Sequence, residues 1–93
     1  MKLDVGDVIE IGGKEATICF TADYNQENYI CVAFEEEKIR YEIYKYKFEQ
    51  EKLQVAKVDG KEEAKPVLKI MVEEGIDEYD IPEELAKIID NYN

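Results

Sequence analysis

The chain contains no histidine, no tryptophan and no serine, and its single arginine is Arg40. Histidine is the side chain that titrates near neutrality, and serine, cysteine and arginine supply many nucleophiles and anion clamps. Their scarcity makes a non-catalytic role the expectation. Two cysteines, Cys19 and Cys31, are too few for a disulfide framework. Their spacing is not that of a zinc motif, and there is no histidine to complete one. No Gly-rich phosphate loop is present, because Gly12-Gly13 lacks the lysine and hydroxyl residue that would follow. No cofactor and no metal are therefore expected. No apolar run approaches the ~20 residues of a membrane helix. The first residues, Met1-Lys2-Leu3-Asp4-Val5-Gly6-Asp7, carry acids early and have no hydrophobic signal region. Both features lead to the expectation of a cytoplasmic protein.

Positive charge is also scarce. Against 23 acidic residues stand 12 basic ones, for a net charge of −11 and an isoelectric point near 4.4. Such a surface repels phosphate backbones and anionic membranes, so neither nucleic acid nor membrane is an expected direct partner. The charge either maintains solubility or marks a basic protein partner.

What is present is a periodic apolar pattern. Of the 93 residues, 45% are hydrophobic and 38% charged, a composition that suits one folded domain with a heavily charged surface. Val8-Ile9-Glu10-Ile11 reads as a short strand, and Gly12-Gly13 as a tight hairpin turn. A long strand from Glu15 to Ala22 follows, with Ala16, Ile18, Phe20 and Ala22 expected on one face. Taking Asn25–Asn28 as a loop sets Tyr24 against Tyr29, Ala22 against Cys31 and Cys19 against Phe34. In that register the two thiols point to opposite faces and act as reduced apolar fillers. Tyr29 to Phe34 is apolar on both faces, as a central strand is. In the fourth strand, from Arg40 to Glu49, the apolar phase shifts from Tyr41 and Ile43 to Tyr44, Tyr46 and Phe48, which predicts a bulge near Ile43 and Tyr44. Leu53 to Val58 is the fifth strand.

Helical spacing then takes over. Ala64, Val67, Leu68 and Met71 predict a helix over about 62–74, firm from Ala64 or Lys65 onward, with Pro66 near its start. Asp80-Ile81-Pro82-Glu83 reads as the start of a second helix over about 81–91. The expectation is a single α+β domain over 1–93. It comprises a five-stranded antiparallel meander over about 5–58, for which a curled or barrel-like sheet is one form, and two C-terminal helices follow it.

Two groups of residues are candidates for partner binding. Tyrosines on a sheet face, Tyr44 and Tyr46 among them, can offer large contact area at low entropic cost. They can equally be core residues. Glu73, Glu74, Asp77, Glu78, Asp80, Glu83 and Glu84 put seven acids within twelve residues. These carboxylates suit a solvated helix terminus, with Asp80, Glu83 and Glu84 at the favourable end of a helix dipole. They could also imitate DNA phosphates. Calcium is disfavoured, because the segment lacks the alternating ligands and central glycine of an EF-hand loop. The expected function is a non-catalytic protein–protein interaction module, with self-association through a sheet edge or the last helix as one form of it. The alternative is an acidic mimic that inhibits a basic nucleic-acid-binding protein.

Val5-Gly6-Asp7-Val8-Ile9-Glu10-Ile11 leads into Gly13-Lys14-Glu15. A Tyr- and Glu-rich fourth strand, Lys52-Leu53 running into Val55 and Val58, and an acidic helix with Val67 and Leu68 come after it. This layout resembles small acidic domain-of-unknown-function proteins of Gram-positive bacteria and their phages. The resemblance covers most of residues 5–74. It implies a β-meander with a C-terminal helix and a cytoplasmic location, and it carries no site.

Overall fold

A computed structural model describes residues 2–37, 39–58 and 60–75. The chain runs through β1 (Val8–Ile11), β2 (Lys14–Tyr24), β3 (Glu27–Phe34), β4 (Arg40–Glu49) and β5 (Lys52–Lys57), then α1 (Lys61–Gly75). Each strand pairs antiparallel with its neighbour in sequence, so the sheet order is β1-β2-β3-β4-β5, as the meander reading expects. The second helix, expected over 81–91, lies outside the described residues.

Three of the hairpins close with two residues in the left-handed region: Gly12 and Gly13 (φ 59° and 82°), Asn25 and Gln26 (52° and 66°), and Gln50 and Glu51 (53° and 65°). Positive φ at both positions is the type I′ geometry, whose twist matches that of the flanking strands. Glycine and asparagine adopt it readily, whereas Gln50 and Glu51 carry a Cβ penalty. Replacing Gln50 by Asn together with Glu51 by Gly should therefore raise the unfolding free energy by about 1 kcal/mol. Urea denaturation would show this as a higher midpoint at an unchanged slope.

The Asn25-Gln26 turn corrects the expected four-residue loop. Glu27 and Asn28 belong to β3, so Tyr24 opposes Glu27 and Ala22 opposes Tyr29. The bulge is also displaced from where the sequence pattern puts it. β4 keeps an unbroken register against β3 from Phe34↔Arg40 to Asn28↔Tyr46. The interruption is in β2, where Ile18 pairs with Val32 and Phe20 with Cys31, leaving Cys19 as the extra residue. Ala16 and Ile18 therefore face one way and Phe20 and Ala22 the other, instead of all four sharing a face.

Each face of the sheet has its own core. On one side α1 lays Ala64, Val67, Leu68 and Met71 against Ala22, Tyr29, Cys31, Ile43 and Val58, with Phe20 and Tyr41 beside them. On the other the sheet curls into a nearly closed barrel. Ala16, Ile18, Ile30, Val32, Phe34, Tyr44 and Tyr46 meet side chains from both outer strands: Ile9 and Ile11 of β1, and Leu53 and Val55 of β5. This arrangement accounts for the phase change in β4. Tyr41 and Ile43 face the helix, and Tyr44, Tyr46 and Phe48 face the curled interior. The strand alternates normally and is covered on both sides.

The helix begins at Lys61, earlier than the firm start expected at Ala64 or Lys65, and its first bond runs from Ala64 N–H to Gly60 C=O at 3.0 Å. Pro66 lies within its second turn, where the missing N–H removes one helical bond near the end without stopping the helix. Glu62 and Glu63 suit the positive end of the dipole. Glu63 also accepts a 2.7 Å hydrogen bond from the Tyr29 hydroxyl and lies 3.7 Å from Lys45 Nζ, which pins the helix start to β3 and β4.

The segment before β1 straps the curled face. Gly6 N–H donates to Ile18 C=O and Ile18 N–H to Asp7 C=O, at 2.8 and 2.9 Å. Leu3 packs onto the inner cluster, and its N–H donates to the Tyr46 hydroxyl at 3.1 Å. Gly6, at φ 96°, occupies the third position of the Asp4–Asp7 turn, a place that needs positive φ.

Candidate interaction surface

The alternation of β4 decides the fate of the candidate tyrosines. Tyr44 and Tyr46 are only 8% and 3% exposed. The Tyr44 hydroxyl donates to Glu42 at 3.2 Å, the Tyr46 hydroxyl accepts from Leu3, and the Tyr46 ring meets Phe48 edge-on at 6.2 Å. Both are core residues that pack the curled interior, so they present no binding face. Of the candidate acids, Glu73 is exposed near the end of α1, and Glu74 is in the same helix. Asp77, Glu78, Asp80, Glu83 and Glu84 lie outside the described residues.

The fold instead brings together residues far apart in sequence. At one end of the curled sheet an ionic chain runs Lys14–Glu36–Arg40–Glu42–Lys57, with contacts of 3.0, 3.3, 2.9 and 2.9 Å in that order. The only arginine of the chain therefore bridges two carboxylates, and its guanidinium carbon lies 4.6 Å from the centre of the Phe34 ring. Hydrogen bonds from Lys14 and Arg40 hold the Glu36 carboxyl below its ordinary value. The Glu42 side chain is only 10% exposed, so this junction ties β2, β4 and β5 together around it. Three cations are engaged there with carboxylates.

Beside this junction lies a shallow groove of about 640 Å³ lined by Val8, Lys14, Glu15, Thr17, Phe34, Glu35 and Glu36. Val8, Thr17 and Phe34 supply its apolar part and Glu15 and Glu35 its acidic rim, while Glu36 is already paired with Lys14 and Arg40. β1 is a terminal strand of the sheet. Val8 on it and Val5 just before it are 59% and 55% exposed, among the largest apolar exposures of the described residues. Glu10 and Glu15 face each other as direct cross-strand partners. Like charges in that position repel, and a cation between them would relieve the repulsion.

A second, smaller groove of about 310 Å³ lies over β4 and β5, between Glu27, Lys45, Lys47 and Gln54. Its charges are mixed, and Lys47 is already 3.5 Å from Glu49. Among the described residues no group of histidine, cysteine, aspartate and glutamate side chains has an arrangement that could hold a metal ion. No described helix is long and apolar enough to cross a membrane.

No protein-family model matches the chain, and no curated protein or solved structure matches it either. Reading the sequence alone missed the β1 groove. The available signal was Val8, which is out of phase with Ile9 and Ile11 in a strand whose other outward position is Glu10.

Proposed function

We propose that the chain is a non-catalytic protein-interaction module that docks a partner along β1 and the adjoining acidic groove. The observation that carries this reading is the pairing of two exposed valines on a terminal strand with a rim of glutamates. A terminal strand offers unpaired backbone groups to an extended segment, and alternate side chains of that segment would enter the groove. The acidic rim favours a partner segment with basic and apolar residues in alternation. It disfavours a second copy of this acidic chain at the same place.

The alternative reading, an acidic mimic of nucleic acid acting through Glu73 to Glu84, draws its support from the run of carboxylates alone. One experiment separates the two. Tagged protein and the variants Val8→Asp and Glu73→Lys capture partners from source-cell lysate after nuclease treatment, with elution by a salt gradient. A partner lost with Val8→Asp and retained with Glu73→Lys is the expected result. Val8 is exposed, so its replacement should leave the fold intact. A basic nucleic-acid-binding protein that elutes at moderate salt and is lost with Glu73→Lys would support the mimic instead.

A further inference from the structure

The two thiols have a relation that the expected register conceals. A bulge sets two residues of one strand against one of the other. Here Ile18 pairs with Val32 and Phe20 with Cys31, so Cys19 and Phe20 together stand opposite Cys31. The faces agree with this placement. Thr17 pairs with Ala33, and Cys31 is two places before Ala33, so Thr17 and Cys31 share the helix-side face of the sheet. Cys19 is two places after Thr17, and its Sγ lies 3.7 Å from the Thr17 carbonyl oxygen. The bulge turns Phe20 onto this same face, where it packs with Cys31 against α1. Cys19 and Cys31 are thus neighbours on one face. Phe20 is the direct partner of Cys31 and Cys19 is its neighbour within the bulge; opposed residues have Cα atoms about 4.5–5.5 Å apart, which puts Cys19 close to the roughly 4.4–6.8 Å window of a disulfide.

The geometry points to Cys19 and Cys31 as a latent cross-strand thiol pair that closes into a disulfide by exchange with a small-molecule disulfide. The two sulfurs are unequally placed: Cys19 is partly exposed and Cys31 is fully buried. An oxidant therefore reaches Cys19 first. The Cys19 thiolate attacks one sulfur of oxidised glutathione, forming a mixed disulfide and releasing one glutathione thiolate. The Cys31 thiolate then attacks Cys19 Sγ, breaking the mixed disulfide and releasing the second. Two protons leave the protein and end on two glutathione thiols, and two electrons pass to the oxidant. Burial pushes both thiols above their ordinary value, and in Cys31 the neighbouring Cys19 adds to the effect. Exchange is accordingly slow at neutral pH and accelerates as the solution is made alkaline.

The test uses the intact folded chain, reduced and then incubated with oxidised glutathione across pH 7–9. Intact mass and thiol titration in denaturant are read over time. The expected end point is a monomer about 2 Da lighter with no free thiol, its two cysteines joined in one peptide pair after digestion. Cys31→Ala should stop at one bound glutathione on Cys19, and Cys19→Ala should remain unmodified while folded. Three results would overturn the inference: wild-type protein that accumulates the Cys19 mixed adduct with Cys31 free, covalent dimers in place of the internal bond, or two free thiols throughout. Because wild-type protein gives the deciding reading, a variant that failed to fold would leave the test intact.

Discussion

Ile30→Ala should lower the free energy of unfolding by about 3–4 kcal/mol. Ile30 has no exposed surface and sits mid-sheet, opposite Thr21 of β2 and Tyr44 of β4. Its side chain belongs to the cluster enclosed by the curl of the sheet, which also takes in Ile18, Val32 and Tyr46. The neighbours lie on five paired strands, so they cannot close on the gap without breaking ladder bonds. The cost therefore includes a cavity as well as lost transfer energy. A domain of this size has about 5–14 kcal/mol of stability in all, so the variant would lose a substantial part of it. Val8→Ala is the matched control. It is also a β-branched residue in a strand, but Val8 is 59% exposed, and the change should stay within about 0.5 kcal/mol. Urea denaturation of the three proteins gives the comparison. A loss below about 1 kcal/mol for Ile30→Ala would mean that the curled face is not a packed core.

Stability should fall as pH rises from about 10 to about 12, by roughly 2 kcal/mol through Tyr29. Tyr29 is 2% exposed under the start of α1 and donates to Glu63 at 2.7 Å. Burial first, and then the hydrogen bond to the Glu63 carboxylate, push its hydroxyl up from 10.0 to about 12. The folded protein keeps this proton where the unfolded chain has already released it. The contribution is therefore complete below pH 10 and is lost as pH climbs toward the folded value. Tyr44 is shifted in the same direction, by burial and by Glu42 beside it. Lysines also lose charge in this range, so Tyr29→Phe provides the separation. The variant should show a shallower fall in urea midpoint between pH 10 and 12, and one fewer late-ionising phenol in an absorbance titration. Equal slopes in both proteins would contradict the assignment.

The strands and helix lie close to where the sequence places them because their signals are local. Gly12-Gly13 marks a turn by composition, and Ala64, Val67, Leu68 and Met71 mark a helix face by spacing, all four being buried in the structure. The Asn25-Gln26 and Gln50-Glu51 turns carry weaker local signals. Only Asn25 is a residue that favours the left-handed conformation, and the other three adopt it because the paired strands on either side leave no alternative. The bulge at Cys19 has no compositional mark either. It is visible only in the pairing of β2 with β3, and its presence changes which face every later side chain of β2 takes.

The candidate site shows the same division. Tyr44 and Tyr46 were legible as sheet tyrosines, but a strand apolar on both faces does not say which face is covered. The groove beside β1 draws on residues from Val8 to Glu36, and the Arg40 junction on residues from Lys14 to Lys57. No short-range pattern links them.

By itself the sequence determined the number and order of the strands, the helix that follows them and the acidic surface. These depend on local backbone preferences, on periodicity and on summed charge. Only the tertiary structure decided that the bulge falls at Cys19, that Tyr44 and Tyr46 lie inside and that Val8 is left exposed on a terminal strand. Those outcomes depend on register and on which face finds a partner, and both are settled by contacts between residues distant in the chain.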